Sequence, residues 1–165
     1  MLIRELYENE MDGAIDLAWH VFLEFEALDY SEQGVKEFWK SIHDEAYLNQ
    51  LRIYGAFEDE KILGIIATRN DGGHVALFFV DGKYQRQGIG KDLFALVCKD
   101  NTSGSITVNS SPFAVPVYHH LGFTVTDSEK VTNGLRYTPM VINLNNRLYI
   151  YLRKERIAEH DLSGN

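Results

Sequence analysis

The segment Gln85-Arg86-Gln87-Gly88-Ile89-Gly90-Lys91 joins a β-rich apolar run, residues 74–80, to a segment with helical periodicity. When a strand enters a glycine-containing turn and then a helix, the free N–H groups of the first helical turn point toward one place. Glycine lets a ligand approach these groups without meeting a Cβ atom. The charged residues in and before the turn are Asp81, Lys83, Arg86 and Lys91, which make it locally basic. The pattern predicts a phosphate-binding loop, with an ordinary tight turn as the alternative.

The spacing of the glycines excludes two common nucleotide-binding loops. Gly88-Ile89-Gly90 is followed by Lys91-Asp92-Leu93, so the third glycine of GxGxxG is missing. The Gly-Lys-Ser/Thr ending of GxxxxGK[ST] is missing as well. The segment is therefore neither a dinucleotide-binding fingerprint nor a P-loop.

The chain before the loop predicts one strand, two helices and then an antiparallel meander. The predicted strands are residues 2–7, 51–57, 62–69 and 74–80, and short turns join the last three. Asn9 or Asp12 is the expected N-cap of the first helix, and Ser31 is that of the second. Apolar residues at helical spacing follow the caps at Ile15, Ala18, Trp19, Phe22 and Phe25, and at Val35, Phe38, Trp39 and Ile42.

The chain after the loop predicts a helix followed by further β-structure. The helix buries Ile89, Leu93, Leu96 and Val97, and residues 105–110 form the next strand. Ser111-Pro112 is read as the start of a short helix that Gly122 ends. The last strands are residues 123–127 and 136–144, with Asn133-Gly134 in their connecting loop. The stretch Leu148 to Leu152 fits strand or helix, and residues 163–165 are expected to fray.

Length and composition favour one α/β domain over residues 1–165, with a core over about 1–144 and a C-terminal extension, 145–165. Apolar residues make up 45% and charged residues 24%, which excludes a disordered or fibrous chain. No apolar run is long enough for a membrane span, and the N-terminus does not resemble a secretory signal. Cys98 is the single cysteine. These features predict a cytoplasmic protein without a disulfide.

The net charge of -8 argues against nucleic-acid binding, which needs a basic surface. The acidic excess lies in residues 1–50. There Glu24, Glu26, Asp29 and Glu32 stand beside Trp19, Phe22, Phe25 and Tyr30. Carboxylates and aromatic rings together attract cations, so this segment predicts a site for a cationic group, with a solvated helix face as the alternative.

Two motifs resemble those of the GNAT superfamily of N-acetyltransferases. Gln85-x-x-Gly88-x-Gly90 resembles the family's Q/R-x-x-G-x-G/A pyrophosphate loop. About 30 residues downstream, after a strand ending at Asn109-Ser110-Ser111, Tyr118-His119-His120-Leu121-Gly122-Phe123 resembles its Y-x-x-x-G-F segment. The order of elements is also similar to the family fold, a mixed, mostly antiparallel seven-stranded sheet with about four helices that splays between strands 4 and 5.

The resemblance implies acetyl-CoA as co-substrate and assigns residues to it. The implied cofactor contacts are Phe79, Val80, Gln85, Arg86, Gln87, Gly88, Ile89, Gly90, Lys91, Asn109 and Tyr118. Of these, the main chain of Phe79 and Val80 is expected to pair with the pantetheine arm, and Asn109 to lie across the cleft. Gly82 stands where the family often has proline, so a looser turn is expected there.

Acyl transfer from a thioester to an amine needs a base for the amine, a donor for the oxyanion and an acid for the leaving thiolate. The resemblance assigns the acid to Tyr118. A main-chain N–H near Val80 is the expected oxyanion donor. Glu24 and Glu26 are the candidate bases, with His74 and His119 as rivals. Phe25, Asp29 and Tyr30 are the expected acceptor contacts, and no metal site is expected.

The combined prediction is an N-acetyltransferase that moves an acetyl group directly, in a ternary complex, to a cationic primary amine. The amine is a small molecule, a polyamine or a peptide amine. A longer acyl donor is left open, as is a monomer or a homodimer. The alternative is a non-catalytic acyl-CoA-binding or sensing module.

Overall fold

The structure is a computed structural model that describes residues 1–145; the segment Leu148 to Leu152 and the predicted frayed end lie outside these residues. The helices are α1 (Met11–Phe25), α2 (Glu32–Ile42), α3 (Glu45–Leu48), α4 (Ile89–Asp100) and α5 (Val115–Leu121). The strands are β1 (Leu2–Glu5), β2 (Arg52–Glu58), β3 (Lys61–Arg69), β4 (His74–Val80), β5 (Ser105–Ser110), β6 (Thr124–Val125), β7 (Lys130–Thr132) and β8 (Leu135–Asn143). Within residues 1–145, the chain forms no helix with the length and apolar character that a bilayer crossing requires.

The strands form one mixed sheet in the order β1-β2-β3-β4-β5-β8-β6, and β7 pairs with β8 beside it. All pairings are antiparallel except that of β4 with β5, which confirms the predicted fold class. The sheet has eight strands where seven were predicted. The additional strand is β7, whose three residues are all exposed and so lack an apolar pattern. Asn133 and Gly134, with φ of 51° and 79°, form the tight turn between β7 and β8.

The predicted splay between strands 4 and 5 is confirmed, and a bulge in β4 explains it. Thr68 of β3 pairs with Val75, but its neighbour Ala67 pairs with Leu77, so Ala76 is an extra residue in β4. A bulge bends its strand and strengthens the local twist. The pairing of β4 with β5 correspondingly stops after His74 and Val75. Beyond this point the two strands diverge and leave an opening between them.

Helices cover both faces of the sheet. On one face, α1 and α2 bury Ala14, Ile15, Ala18, Val21, Phe22 and Ile42 against β2, β3 and β4. On the other face, α4 buries Ile89, Leu93, Phe94, Val97 and Cys98, and α5 adds Tyr118. The apolar stripe of α4 is therefore shifted from the predicted one, since Phe94 and Cys98 are buried while Leu96 is only partly buried.

The observed helix ends agree with two of the predicted caps and contradict the others. Ser31 caps α2 by accepting a hydrogen bond from the Gly34 N–H over 3.2 Å, and Gly122 ends α5 with φ of 106°, both as predicted. The caps at Asn9 and Asp12 are wrong, because Glu8–Glu10 is a 3-10 turn that runs directly into α1. Ser111-Pro112 does not begin α5 either. The Ser111 Oγ instead accepts the Ala114 N–H over 3.2 Å and closes the turn that precedes the helix.

Candidate active site

The loop between β4 and α4 uses its two glycines for different reasons. Gly88 precedes α4 with φ of 88°, a left-handed conformation, and has open space where a side chain would project. Gly90 lies in the first turn of α4, where a Cβ atom would sit 3.3 Å from the Phe78 ring. Gly88 therefore leaves the main chain accessible, and Gly90 lets α4 pack closely on β4. Arg86 is also left-handed, with φ of 61°.

Side chains hold this loop onto the end of β4. Gln85 Nε2 donates to the Val80 carbonyl over 3.0 Å, and Asp81 Oδ1 accepts the Lys83 N–H over 2.9 Å. Residues Gly82–Tyr84 form a 3-10 turn. The looser turn expected at Gly82 is thus a regular one, closed by the Asp81 cap.

The main chain of β4 presents alternate residues to the opening. The Asp81 N–H donates to the Leu63 carbonyl of β3 over 2.8 Å, and Phe79 is aligned with Ile65. Because bonded and non-bonded pairs alternate in an antiparallel ladder, the Phe79 main chain bonds to β3, whereas Phe78 and Val80 face the opening. Of the two residues predicted to pair with pantetheine, Val80 is on the open edge and Phe79 is not.

Glu26 follows the last residue of α1 and is only 9% exposed. Burial raises the pKa of its carboxyl to about 7, and the charge of Asp29 adds to the rise. The Ser111 hydroxyl acts in the opposite direction and lowers this pKa. Glu26 therefore changes protonation state close to neutral pH.

Tyr118 of α5 is buried, with its ring 6.0 Å from that of Phe78 and 5.2 Å from that of Phe123. Burial raises the pKa of its phenol well above the usual range, and the charge of Glu26 raises it further. The structure thus brings Tyr118 and Glu26 within electrostatic range of each other, and it keeps the phenol protonated.

The residues around Glu26 come from three separate segments of the chain. Phe25 of α1 meets Phe113 of the β5–α5 connection with ring centroids 5.4 Å apart, which bridges the opening. Tyr30 stacks on Phe22 at 5.4 Å, and burial raises the pKa of its phenol. From β8, Arg136 Nη1 donates to the Asp29 carbonyl over 3.1 Å. The predicted acceptor contacts Phe25, Asp29 and Tyr30 lie within four residues of Glu26 in the chain. The Asp29 N–H donates to the Glu26 carbonyl over 3.0 Å, and the charge of Glu26 adds to the rise in the pKa of Tyr30.

The other candidate bases lie elsewhere. Glu24 is exposed, and its Oε1 is 3.1 Å from the point where a Cβ of Gly82 would sit. His74 lies where β4 and β5 are still paired, with Nδ1 2.8 Å from Thr107 Oγ1. Burial and the charge of Arg69 lower the pKa of His74 to about 4. His119 is exposed on α5, with Nδ1 3.2 Å from the Phe123 carbonyl oxygen.

Sequence reasoning missed three residues of this region, Ser111, Phe113 and Arg136. Ser111 was read as a helix cap, and Phe113 and Arg136 lie in a loop and in a strand without a recognisable motif.

Asn109 lies on the exposed face of β5, opposite Pro139 of β8. Residues 1–145 contain no cluster of three or more His, Cys, Asp or Glu side chains that could hold a metal ion.

Comparison with known proteins gives consistent matches. The family model described as an acetyltransferase (GNAT) domain matches residues 26–144. A search of curated protein sequences found no match. The fold is similar to that of a structure described as a GCN5-related N-acetyltransferase, aminotransferase class-II, from Rhodopseudomonas palustris. The TM-score is 0.73 at 18% identity, over 87% of this chain and 95% of that one.

Two further structures are similar over most of both chains. PaiA N-acetyltransferase from Thermoplasma acidophilum, solved in complex with coenzyme A, gives a TM-score of 0.68 at 20% identity over 86% of this chain and 98% of that one. FeeM, an N-acyl amino acid synthase from uncultured soil microbes, gives 0.66 at 17% identity over 91% and 97%. At these identities the likeness concerns the fold.

Proposed function

The chain belongs to the GNAT acetyltransferase family, and on that premise we propose that it transfers an acetyl group from acetyl-CoA to a primary amine, directly, in a ternary complex. The observation that carries this proposal is the pair formed by Glu26 and Tyr118. A carboxyl with a pKa of about 7 lies within electrostatic range of a phenol whose raised pKa keeps it protonated. Two groups whose pKa values are pushed apart in this way suit a base and an acid.

In the proposed reaction the acceptor amine gives a proton to the Glu26 carboxylate and attacks the thioester carbonyl carbon. A C–N bond forms and the C–S bond breaks. The Tyr118 hydroxyl supplies a proton to the leaving thiolate, the resulting phenolate takes up the remaining proton of the new amide nitrogen, and Glu26 releases its proton to solvent. The pKa of Glu26 matters because a base titrating near the working pH combines a useful ionised fraction with sufficient proton affinity. Glu24, exposed beside Gly82, lacks this environment.

The loop is proposed to hold the pyrophosphate of acetyl-CoA. Gln85 and Asp81 fix the loop, and Gly88 leaves the N-terminus of α4 open to an anion. The pantetheine arm then lies along the open edge of β4, against the main chain of Phe78 and Val80. Arg86, Gln87, Ile89, Gly90 and Lys91 line the same loop, and Asn109 stands on β5 across the opening.

The acceptor is proposed to be cationic. Glu26 and Asp29 supply carboxylates, and Phe25 and Tyr30 supply aromatic rings at the same place, a combination that favours an ammonium group over a neutral one. Small amines, polyamines and peptide amines share this chemistry. Because the fold is also similar to that of FeeM, an N-acyl amino acid synthase, the assay should include longer acyl-CoA donors.

The test is thiol release from acetyl-CoA, and from longer acyl-CoA donors, across a panel of cationic and neutral amines. We expect turnover with cationic amines, at least a hundredfold loss in Glu26→Gln, and a large loss in Tyr118→Phe, as is usual on removing a general base or acid, about 10²–10⁴-fold. Glu60→Gln, an exposed residue of the β2–β3 turn, is the matched control and should keep full activity. Loss of activity in Glu24→Gln but not in Glu26→Gln would reassign the base. Saturable acetyl-CoA binding without turnover of any amine would instead favour a sensing module.

A further inference from the structure

The Phe25 ring contacts both sides of the opening between β4 and β5. Phe25 is the last residue of α1, and its ring centroid lies 5.4 Å from that of Phe113, in the connection after β5. Gly82 follows β4, and a Cβ atom on it would lie 3.0 Å from Phe25 Cζ and 3.1 Å from Phe25 Cε2. The ring therefore packs on the Gly82 main chain on one side and on the Phe113 ring on the other. Phe25 and Phe113 together form an aromatic bridge across the opening.

The absence of a side chain at Gly82 makes room for the Phe25 ring. Gly82 is not among the glycines with a left-handed φ, so the 3-10 turn that it begins could hold another residue. A Cβ atom there would meet the Phe25 ring and, at 3.1 Å, Glu24 Oε1, both closer than ordinary van der Waals contact. The close approach of Phe25 therefore explains the glycine at this position, and backbone conformation does not.

The aromatic bridge crosses the opening at its wide end. The parallel strands β4 and β5 pair only at His74 and Val75, near the start of β4. From there they diverge toward their C-terminal ends, which Gly82 and Phe113 follow closely. The bridge thus joins the two strand ends where they are furthest apart.

A second pair of rings lies on the other face of the sheet. Phe78 and Tyr118, with ring centroids 6.0 Å apart, belong to the core covered by α4, whereas Phe25 packs on the core covered by α1 and α2. The proposed pyrophosphate loop leads into α4 at Gly88, so the donor enters from the α4 side and its acyl end points toward α1 and α2. An acyl chain that continues in this direction meets the aromatic bridge.

We propose that the aromatic bridge limits the donor to short acyl groups, so that acetyl-CoA is accepted and medium-chain acyl-CoA is excluded. This inference deepens the proposed function and rests on it, since the path of the pantetheine arm along β4 is taken from there. The Phe25 ring is held between Gly82 and Phe113, and a ring packed on both sides cannot move aside without losing these contacts. The bridge therefore ends the space that the acyl chain can occupy.

Phe113 tests this limit more cleanly than Phe25, because Phe25 also lies in the proposed acceptor site. The Phe113 side chain is 41% exposed and belongs to neither buried core, so its truncation should leave the protein folded. Trp39 offers a matched control, since it is 49% exposed and its ring stacks on that of His43 at 4.1 Å. Trp39→Ala removes a half-exposed ring and one ring contact, as Phe113→Ala does, but leaves the bridge in place.

The first experiment measures binding and needs no turnover. Isothermal titration gives the Kd of acetyl-CoA, butanoyl-CoA and hexanoyl-CoA for the wild type, Phe113→Ala, Phe113→Leu and Trp39→Ala. We expect the wild type to bind hexanoyl-CoA at least about tenfold more weakly than acetyl-CoA, because the added methylenes meet filled space. Phe113→Ala should lower this ratio of Kd values by about tenfold, as the space opens. Phe113→Leu should give an intermediate ratio and carries the test if Phe113→Ala does not fold, and Trp39→Ala should keep the wild-type ratio.

The binding results separate this inference from the proposed function. Equal Kd values for acetyl-CoA and hexanoyl-CoA in the wild type, or an unchanged ratio in Phe113→Ala, would overturn the inference even in a protein that acetylates amines. A ratio that falls in Phe113→Ala but not in Trp39→Ala would uphold the inference. If that protein acetylated no amine, the proposed function would fail and the limit on acyl length would stand.

The second experiment measures thiol release from the same donors with one cationic amine. Wild-type kcat/KM should be at least about tenfold lower with hexanoyl-CoA than with acetyl-CoA, and Phe113→Ala should reverse most of this difference. If Phe113→Ala instead lowered kcat/KM by the same factor for every donor, Phe113 would support the fold or the acceptor site, and the limit on acyl length would be refuted.

Discussion

Glu26 and Tyr118 illustrate how one buried environment gives two residues opposite roles. Burial disfavours the charged form of both, so it raises the pKa of a carboxyl into the neutral range and raises that of a phenol out of it. The ionisation of Glu26 further opposes that of Tyr118. In the proposed mechanism, Glu26 is therefore the base and Tyr118 the acid at neutral pH.

The burial of Glu26 should have a cost in stability that can be measured. Its pKa of about 7 in the folded state exceeds the ordinary 4.5, so the folded state binds more protons between these values and loses stability as the pH rises through them. We predict that Glu26→Gln gains stability relative to the wild type between pH 5 and pH 8, by up to about 3 kcal/mol. Urea unfolding at the two pH values measures this difference. For the exposed control Glu60→Gln, the difference from the wild type in the free energy of unfolding should be the same at pH 5 and pH 8. A constant difference for Glu26→Gln as well would mean that Glu26 does not titrate in this range.

The loop from β4 into α4 depends on residues that can be recognised in the sequence. Glycines at 88 and 90 and the basic residues around them predicted a loop leading into a helix, and the structure has one. The sequence could not indicate that Gln85 would bond to the Val80 carbonyl, because that bond depends on the conformation of the turn between them. Nor could it separate Phe78 from Phe79, because the bulge at Ala76 sets which residues face the opening.

Gly88 and Gly72 provide a matched test of the loop. Both are left-handed, with φ of 88° and 82°, and both have open space where a Cβ would project. Alanine at either position should cost about 1 kcal/mol of stability, because the left-handed conformation is strained for residues with a Cβ. We predict that Gly88→Ala also weakens acetyl-CoA binding by about tenfold or more, corresponding to at least about 1.4 kcal/mol. Isothermal titration should find unchanged affinity for Gly72→Ala, which alters the β3–β4 turn. Equal affinities for the two variants would place the cofactor away from this loop.

The opening in the sheet exists because β4 and β5 pair only at His74 and Val75. Contacts outside the sheet then connect the two sides. The N-terminal turn of α2 packs on the β7–β8 hairpin through Gly34 and Gly134, and a Cβ on Gly34 would collide with the Gly134 carbonyl oxygen. Arg136 adds its bond to the Asp29 carbonyl. The proposed acceptor side is thus assembled from both halves of the fold.

This long-range assembly is the part that sequence could not predict. Acidic and aromatic residues at 24–30 predicted a cationic site, but their grouping with Ser111 and Arg136 depends on how the two halves approach. Strand β7 was missed for a related reason, because its three exposed residues are held by the turn at Asn133-Gly134 and by β8 rather than by burial. Local periodicity identified the other strands, since each of the longer ones has a buried face.

The α2–hairpin contact gives a prediction at this scale. Gly34→Ala should destabilise the protein by about 1–3 kcal/mol, because an added methyl group in a filled contact forces the backbone apart. It should also raise KM for the amine more than the Kd for acetyl-CoA, since the contact borders the acceptor side. Gly13 lies in α1, and a Cβ there would meet Ile62 at an ordinary 3.4 Å. Gly13→Ala should therefore be neutral or stabilising by up to about 1 kcal/mol. Thermal unfolding and steady-state kinetics check both, and a stable, fully active Gly34→Ala would refute the contact.

Glu26 is proposed to accept the proton of the acceptor amine, and the pH dependence of wild-type kcat/KM is the sharpest test of this role. With a cationic amine at saturating acetyl-CoA, we expect a break near pH 7, with activity falling about tenfold per pH unit below it as Glu26 becomes protonated. Glu26→Gln should lose this break together with most of its activity. A wild-type profile without a break between about pH 5.5 and 8.5, or a break that persists in Glu26→Gln, would show that Glu26 is not the base.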